Sequence, residues 1–531
     1  MRFLPLATII TLVAATATAQ TPMPAIIQKD GRYTLLVDGK PFFILGGQCH
    51  NSSAWPAMLP KVWQAVQTLH ANTLEIPVYW EQIEPQPGAF DFSILDTLLQ
   101  QAQTHHIRLV LLWFATWKNG SNHYMPAWMK KDSRKYPNIV AKDGRPIDSP
   151  APDAVATLEA DKKAFTALMR HLKTTDPQHT VIMVQVENEP GAWDTVRDFG
   201  PNAQKEFEGM VPPQLLQPAI LQALHIAPSA KGTWQQVFGA RADEYFHAWH
   251  VASFIGQVAA AGKSEYPLPL YANAALRDPL TDPPATNYES GGPTDNVIPI
   301  WLAAAPALDL VAPDIYLDGS QRVLKVLGLY NRPGNALFVP EAGLTTVNMK
   351  YLYSVIGHGG IGFSPFGIDD NSVERSKPGA LEKLDELAAD YGLINTIPEF
   401  AQWIAESKIH AIIEPDDHTE QTIDLGAWQA AFTFGHDRGY PLKGNTSPTG
   451  RALLVRQNEN SFLLIGAGCR INFRPKGANT DKSWQYLKVE EGKFNNGRFE
   501  PLRTLNGDET DWGGPLLDAT PGILEITLQI R

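Results

Sequence analysis

Two glutamates carry the chemistry this chain is built to do. Glu189 closes the run Val181-Ile182-Met183-Val184-Gln185-Val186-Glu187-Asn188 and is followed by Pro190-Gly191, and Glu341 closes Ala336-Leu337-Phe338-Val339-Pro340. Both runs are short and largely apolar, too short for helices, and they end in polar residues near Pro or Gly, as fully buried parallel strands do. In an α/β barrel the carboxyl end of a strand is where reactive side chains project. Two carboxyl groups there suit cleavage of a glycosidic bond. One, with a raised pKa, protonates the departing oxygen; the other is ionised and attacks the anomeric carbon. On this reading Glu189 is the acid/base and Glu341 the nucleophile.

Other residues fall into place around them. Asn188, beside the acid, is a hydrogen-bond partner for the sugar 2-hydroxyl. Tyr316, ending the run Leu308 to Tyr316, could donate its phenol to the nucleophile. Asn273, at the end of another run, is a further polar candidate, as are Glu81 and Glu75 near the end of the second strand. Trp80, Trp113, Trp117 and Trp193 are candidate sugar platforms, with packing as the rival role for each. Glu187 lies two residues before Glu189, hence on the same strand face, and reads as a buried supporting acid. His50, His123 and His179 have no metal-ligand spacing, so neither metal nor cofactor is expected.

Eight apolar runs, separated by helical spacing, would position these groups. In order they are Phe42 to Gly46, Thr73 to Val78, Leu109 to Trp113, Val181 to Val186, Leu268 to Asn273, Leu308 to Tyr316, Leu337 to Glu341 and Gly359 to Phe366. Glu189 thus ends the fourth and Glu341 the seventh. Strand and helix alternating over about 350 residues predict a (β/α)₈ barrel with insertions, an α/β fold. A Rossmann-type sheet is disfavoured by the lack of G-x-G-x-x-G after a strand. Asp38-Gly39 between two apolar arms predicts a hairpin whose second arm enters the barrel as its first strand. Beyond about Glu399, short runs broken by Gly, Pro, Asn and Asp predict a β-sandwich, jelly-roll-like, over residues 399–531, with Trp428, Trp484, Tyr486 and Trp512 as its candidate sugar platforms.

Composition is consistent with this. The 531 residues carry a formal charge of −12, a poor match for nucleic acid or anionic membranes. The 14 Trp and 15 Tyr suit sugar rings, whose apolar faces stack on aromatics. Residues 1–19, with Arg2, an apolar stretch and Ala17-Thr18-Ala19, read as a cleavable secretory signal, which places the protein in the periplasm or outside the cell. The apolar part falls short of the roughly 20 residues a bilayer needs, and no later stretch is long enough to span one. Cys49 and Cys469 read as two free buried thiols.

Val78 to Phe92, Met125 to Met129 and Ile182 to Glu189 resemble segments of glycoside hydrolase family 35, the retaining β-galactosidases of clan A. Val78 to Phe92, with Trp80 and Glu84-Pro85-Gln86-Pro87-Gly88-Ala89-Phe90-Asp91-Phe92, is similar to that family's strand-two signature. Ile182 to Glu189 resembles its acid/base segment, and Met125-Pro126-Ala127-Trp128-Met129 its element after strand three. Two departures lie near the sugar. Pro190 stands where the family commonly has Tyr, and Ala115-Thr116-Trp117-Lys118-Asn119-Gly120 replaces its Cys-Ala-Glu-Trp segment. The resemblance implies a (β/α)₈ barrel in which Glu189 and Glu341 serve as acid/base and nucleophile. The expected activity is exo-hydrolysis of terminal β-galactosyl residues from an oligosaccharide, with export suggesting a plant cell-wall source. The rival readings are another retaining glycosidase of the clan (a glucosidase, mannosidase or galactanase) and a barrel that binds sugar without turnover.

Overall fold

A computed structural model describes residues 21–369, 384–434 and 445–531. The proposed secretory signal lies outside these residues. The chain opens with strands β1 (Ala25–Lys29), β2 (Arg32–Val37) and β3 (Lys40–Phe42), which form a small antiparallel sheet. The β2–β3 turn is the expected one: Asp38 and Gly39 have φ of 53° and 74°, the paired left-handed conformation of a two-residue hairpin. Asp30-Gly31 repeats the device between β1 and β2, with φ of 51° and 77°. The β1 strand is not among those expected from the sequence.

Eight strands then close a parallel barrel: β4 (Ile44–Gln48), β5 (Thr73–Tyr79), β6 (Arg108–Lys118), β9 (Val181–Asn188), β10 (Leu270–Ala275), β11 (Leu310–Ile315), β12 (Val339–Ala342) and β13 (Gly362–Pro365). Each of the eight expected runs supplies one strand. The ring runs β4-β5-β6-β9-β10-β11-β12-β13 and closes through Phe363 opposite Leu45, which rules out an open Rossmann sheet. All residues of β5 and of β9 are buried. Such runs are apolar throughout rather than alternating because helices cover one face and the barrel interior the other. The helices Leu59–Leu69, Ser93–His105 and Val155–Thr175 turn inward Val62 and Val66, then Leu98 and Leu99, then Phe165 and Leu168, each at helical spacing.

Between β6 and β9 a short hairpin, β7 (Asn138–Val140) and β8 (Pro146–Pro150), forms part of the barrel mouth. Two further sheets follow the barrel. One holds β14 (Ile409–Ile413), β17 (Arg451–Arg456), β18 (Ser461–Ala467), β20 (Trp484–Asn495), β21 (Arg498–Thr504) and β23 (Gly522–Ile530). The other holds β15 (Gln421–Asp424), β16 (Trp428–Phe434), β19 (Cys469–Pro475) and β22 (Leu516–Leu517). Side chains of β17 and β18 alternate between two cores. Leu453, Val455, Leu463 and Ile465 join the barrel's core, whereas Ala452, Leu454, Phe462 and Leu464 join a second core with Phe432, Ile471 and Phe473 of the smaller sheet. The period of two is what lets one sheet bind the barrel and close a sandwich at once. Cys49 and Cys469 are free and buried, as expected. Among the described residues no helix is long and apolar enough to cross a membrane.

Candidate active site

The end of β9 departs from regular strand geometry, and the departure sorts its acids. Glu187 and Glu189 have φ of 65° and 42°, values that non-glycine residues adopt only at some cost in strain. The break cancels the period-two expectation that both face the same way. Glu187 turns toward the helical layer, where its Oε2 accepts from the Trp117 N–H at 2.7 Å and its carboxyl pairs with Asp161 of the helix Val155–Thr175. Asp161 also accepts from Trp113 Nε1 and the Thr116 hydroxyl. Burial and the adjacent Asp161 raise the Glu187 pKa well above the usual carboxylate range, so this pair shares a proton away from the mouth.

Glu189 instead joins two other carboxyls. One oxygen each from Glu189, Asp314 and Glu341 lies within 4.8 Å of the others, and all three residues are buried. Asp314 sits on β11 directly opposite Glu341 of β12, which explains their proximity. Burial and the Glu341 carboxylate push the Glu189 pKa up to about 7, against the Lys118 ammonium and a hydrogen bond with Asp314, which pull it down. Burial, then Glu341 and Glu189, raise Asp314 well above the usual range. Like charges this close cannot all ionise, so Asp314 is a carboxyl that keeps its proton. These three oxygens are also near enough to one another to ligate a cation.

Glu341 is held from two sides. Gln48 Nε2, at the end of β4, donates to its Oε2 at 2.9 Å, and the Tyr316 hydroxyl donates to Oε1. Asn273 on β10 serves the other carboxyls: its Oδ1 accepts the Glu189 N–H at 2.9 Å and its Nδ2 donates to Asp314 Oδ2 at 2.7 Å. Its amide is therefore engaged in orienting the acids rather than facing open space. Both polar atoms of the Asn188 side chain are buried without a partner. A group left so is costly unless a ligand completes it. Glu75 lies deeper in the barrel, fully buried and accepting from the Tyr271 hydroxyl at 3.1 Å.

The turn after β6 braces the acid. The β6–β9 register runs from Trp113 opposite Val186 to Lys118 opposite Asn188, so β6 bulges outward over this stretch. The bulge brings Asn119 and Gly120 beside β9, where their N–H groups donate to the Asn188 and Glu189 carbonyls at 3.1 and 2.9 Å. Nearby, Glu289 is buried with both carboxylate oxygens unpaired, and burial, then Glu189, raise its pKa well above the usual range.

Four expected sugar contacts, Trp80, Trp113, Trp117 and Glu81, are corrected. Trp80 is fully buried, its Nε1 bonded to Glu84 and its ring packed on Trp113, which itself faces Asp161 and Phe165 of the covering helix. Trp117 is fully buried, bonded to Ser149 and packed edge-on to Phe254. These rings fill the layer between barrel and helices. Glu81 turns to the surface, 3.7 Å from Lys130 Nζ. Periodicity places such residues near a strand end without telling which way the chain turns after it. In the sandwich Trp428 is core, Trp484 and Tyr486 are half-buried against it, and Trp512 is exposed. Conversely, Asp314, Gln48 and Glu289 were missed as site residues. The available signal for the first was an acid two residues before Tyr316 in an apolar strand; for the second, a lone polar residue ending one.

Residues 49–225 match the model of a β-galactosidase family, glycoside hydrolase family 42, and residues 387–516 match a domain of unknown function, DUF5597. The motifs had pointed to family 35 instead. A Xanthomonas manihotis β-galactosidase is 30% identical over 165 residues, 29% of this chain and 25% of that protein. A human β-galactosidase is 27% identical over 209 residues, 36% of this chain and 28% of that protein. The chain thus spans about a quarter of the length of these relatives. Among solved structures, a Bacillus circulans sp. alkalophilus β-galactosidase is similar at a TM-score of 0.48 and 12% identity, over 91% of this chain and 99% of that one. A Marinomonas ef1 β-galactosidase gives 0.48 and 13%, over 68% and 61%.

Proposed function

We propose that this chain is a retaining β-galactosidase that removes terminal galactosyl residues by double displacement. The carrying observation is the approach of Glu189 and Glu341 oxygens to within 4.8 Å of each other at the mouth of one barrel. Retention needs carboxyls about 5 to 5.5 Å apart, whereas inversion leaves room for a water at about 6.5 to 9.5 Å. The environments divide the labour. Glu341, held by Gln48 and Tyr316, attacks the anomeric carbon; Glu189, with a pKa of about 7, gives its proton to the departing oxygen and later takes one from water. Asn188 offers its unpaired amide to the 2-hydroxyl, and Asn273 and Asp314 orient the acid.

The galactosyl part of the reading is supported by the partial matches to proteins named β-galactosidase. The family within the clan is its finer point: the motifs resemble family 35, the matching model is family 42, and both are β-galactosidases. Exo action and a plant cell-wall oligosaccharide as substrate, met in the periplasm or outside the cell, belong to the same reading.

The test is hydrolysis of aryl β-galactoside, glucoside, mannoside and xyloside by the purified protein, together with labelling by a 2-fluoro-galactoside. Preference for the galactoside and a covalent adduct on Glu341 are the expected results. Preference for another sugar would replace the galactosyl assignment, and clean binding with neither adduct nor turnover would replace the enzyme by a sugar-binding protein.

A further inference from the structure

Trp193 differs from the tryptophans buried against the barrel helices. It lies four residues past Glu189 on the same loop and keeps 44% of its surface open to solvent. The loop is pinned at Ala192, whose N–H donates to the Ser290 carbonyl at 2.8 Å and whose carbonyl accepts from the Ser290 N–H at 3.0 Å. Gly120 packs against the ring. A Cβ on Gly120 would lie 3.1 Å from Trp193 Cδ1 and 2.3 Å from Glu289 Oε1, so neighbours as well as its φ of 68° confine this position to glycine. The Gly120 N–H in turn donates to the Glu189 carbonyl at 2.9 Å. The exposed ring thus adjoins the bare glycine, and the glycine is bonded to the main chain of the catalytic acid.

Strand order decides which part of a substrate this surface meets. β9 lies between β6 and β10, and Glu341 is reached from Glu189 through β10, β11 and β12. Gly120 follows β6, on the other flank of the acid. Glu189 protonates the oxygen joining the galactosyl unit to its leaving group, and the galactosyl carbon faces Glu341. A leaving group that extends from Glu189 away from Glu341 runs over the β6 flank. An aromatic face fixed at its neighbour's main chain and open on one side suits the apolar face of a pyranose ring.

We propose that Trp193, standing on Gly120 beside Glu189, is the platform on which the departing sugar stacks, so that this subsite selects a glycosyl leaving group. The inference rests on the galactosidase reading and adds the class of leaving group. Its test compares two donors in the wild type, Trp193→Ala and Trp193→Phe. One is β-galactosyl fluoride, which departs without a ring; the other is whichever β-linked galactosyl-hexose or galactosyl-pentose the wild type cleaves fastest. Trp193→Ala is expected to lose about 10- to 100-fold in kcat/KM on the disaccharide and to stay within about twofold on the fluoride, with Trp193→Phe recovering most of the loss. Equal losses on both donors, an unchanged disaccharide rate, or a wild type that cleaves the fluoride but no disaccharide would overturn the role of Trp193. A wild type inactive on the fluoride would overturn the galactosidase reading beneath it.

Discussion

Two regions of this molecule bury carboxyl groups, and they treat them in opposite ways. Where the barrel meets the sandwich, Asp390 is fully buried but receives Arg451 Nη2 at 2.7 Å and the Tyr353 hydroxyl at 2.7 Å. Close by, Glu414 accepts from Asn445 Nδ2 at 2.6 Å and the Gly450 N–H at 2.7 Å. At the barrel mouth Glu189, Asp314 and Glu341 face one another, and the side-chain polar atoms of Asn188 and Glu289 lack any hydrogen-bond partner. Paired charge at the junction specifies how two units dock. Crowded like charge at the mouth raises pKa values and leaves polar atoms for a ligand to satisfy, at a cost in stability.

The contrast can be broken by substitution. Glu341→Gln should lower turnover of an aryl galactoside by about 10⁴-fold or more while the melting temperature holds or rises, because the carboxylate crowded against two other carboxyls is gone. A variant that keeps near-normal turnover would end the nucleophile assignment. Arg451→Ala should do the reverse. Leaving Asp390 buried and unpaired costs about 3 to 5 kcal/mol by denaturant titration, with turnover per folded molecule unchanged.

The effect of pH sharpens the comparison further. Glu189 has a folded pKa of about 7, above its unfolded value of about 4.3. Its contribution to stability is complete below the unfolded pKa and is lost as pH rises through 7. Unfolding free energy at pH 8 should therefore lie about 2 kcal/mol or more below that at pH 5, less so in Glu189→Gln and undiminished in Arg451→Ala. The smallest expected effect is kinetic. Activity falls as Glu189 deprotonates, and Lys118 holds its pKa down; Lys118→Met should move the basic limb of the pH–rate profile to higher pH. A limb that stays in place or moves the other way would separate Lys118 from the acid.

Much of the barrel was legible in its sequence because strands buried on both faces write themselves as unbroken apolar runs, and the helices between them as spaced ones. Glu189 and Glu341 were legible for the same reason: each is the polar stop at the end of such a run. The turns after the strands were not. Trp80 directly follows β5 and Trp117 is the last residue but one of β6, both as near a strand end as Glu189, yet both rings fold back under the helices. Glu187 and Glu189 share a strand parity, and only the left-handed backbone at both positions parts them.

The sequence by itself determined the strand–helix alternation, the hairpin at Asp38-Gly39 and the carboxyl at the end of each of two strands, since these depend on local period and turn chemistry. Tertiary structure decided which acids share a field. Asp314 joins Glu189 and Glu341 only because β11 pairs with β12 in the register that sets Asp314 opposite Glu341, and Gln48 reaches Glu341 only because the barrel closes on itself through β13 and β4. Ionisation depends on distance through space, and distance through space between residues hundreds of positions apart is set by closure of the sheet.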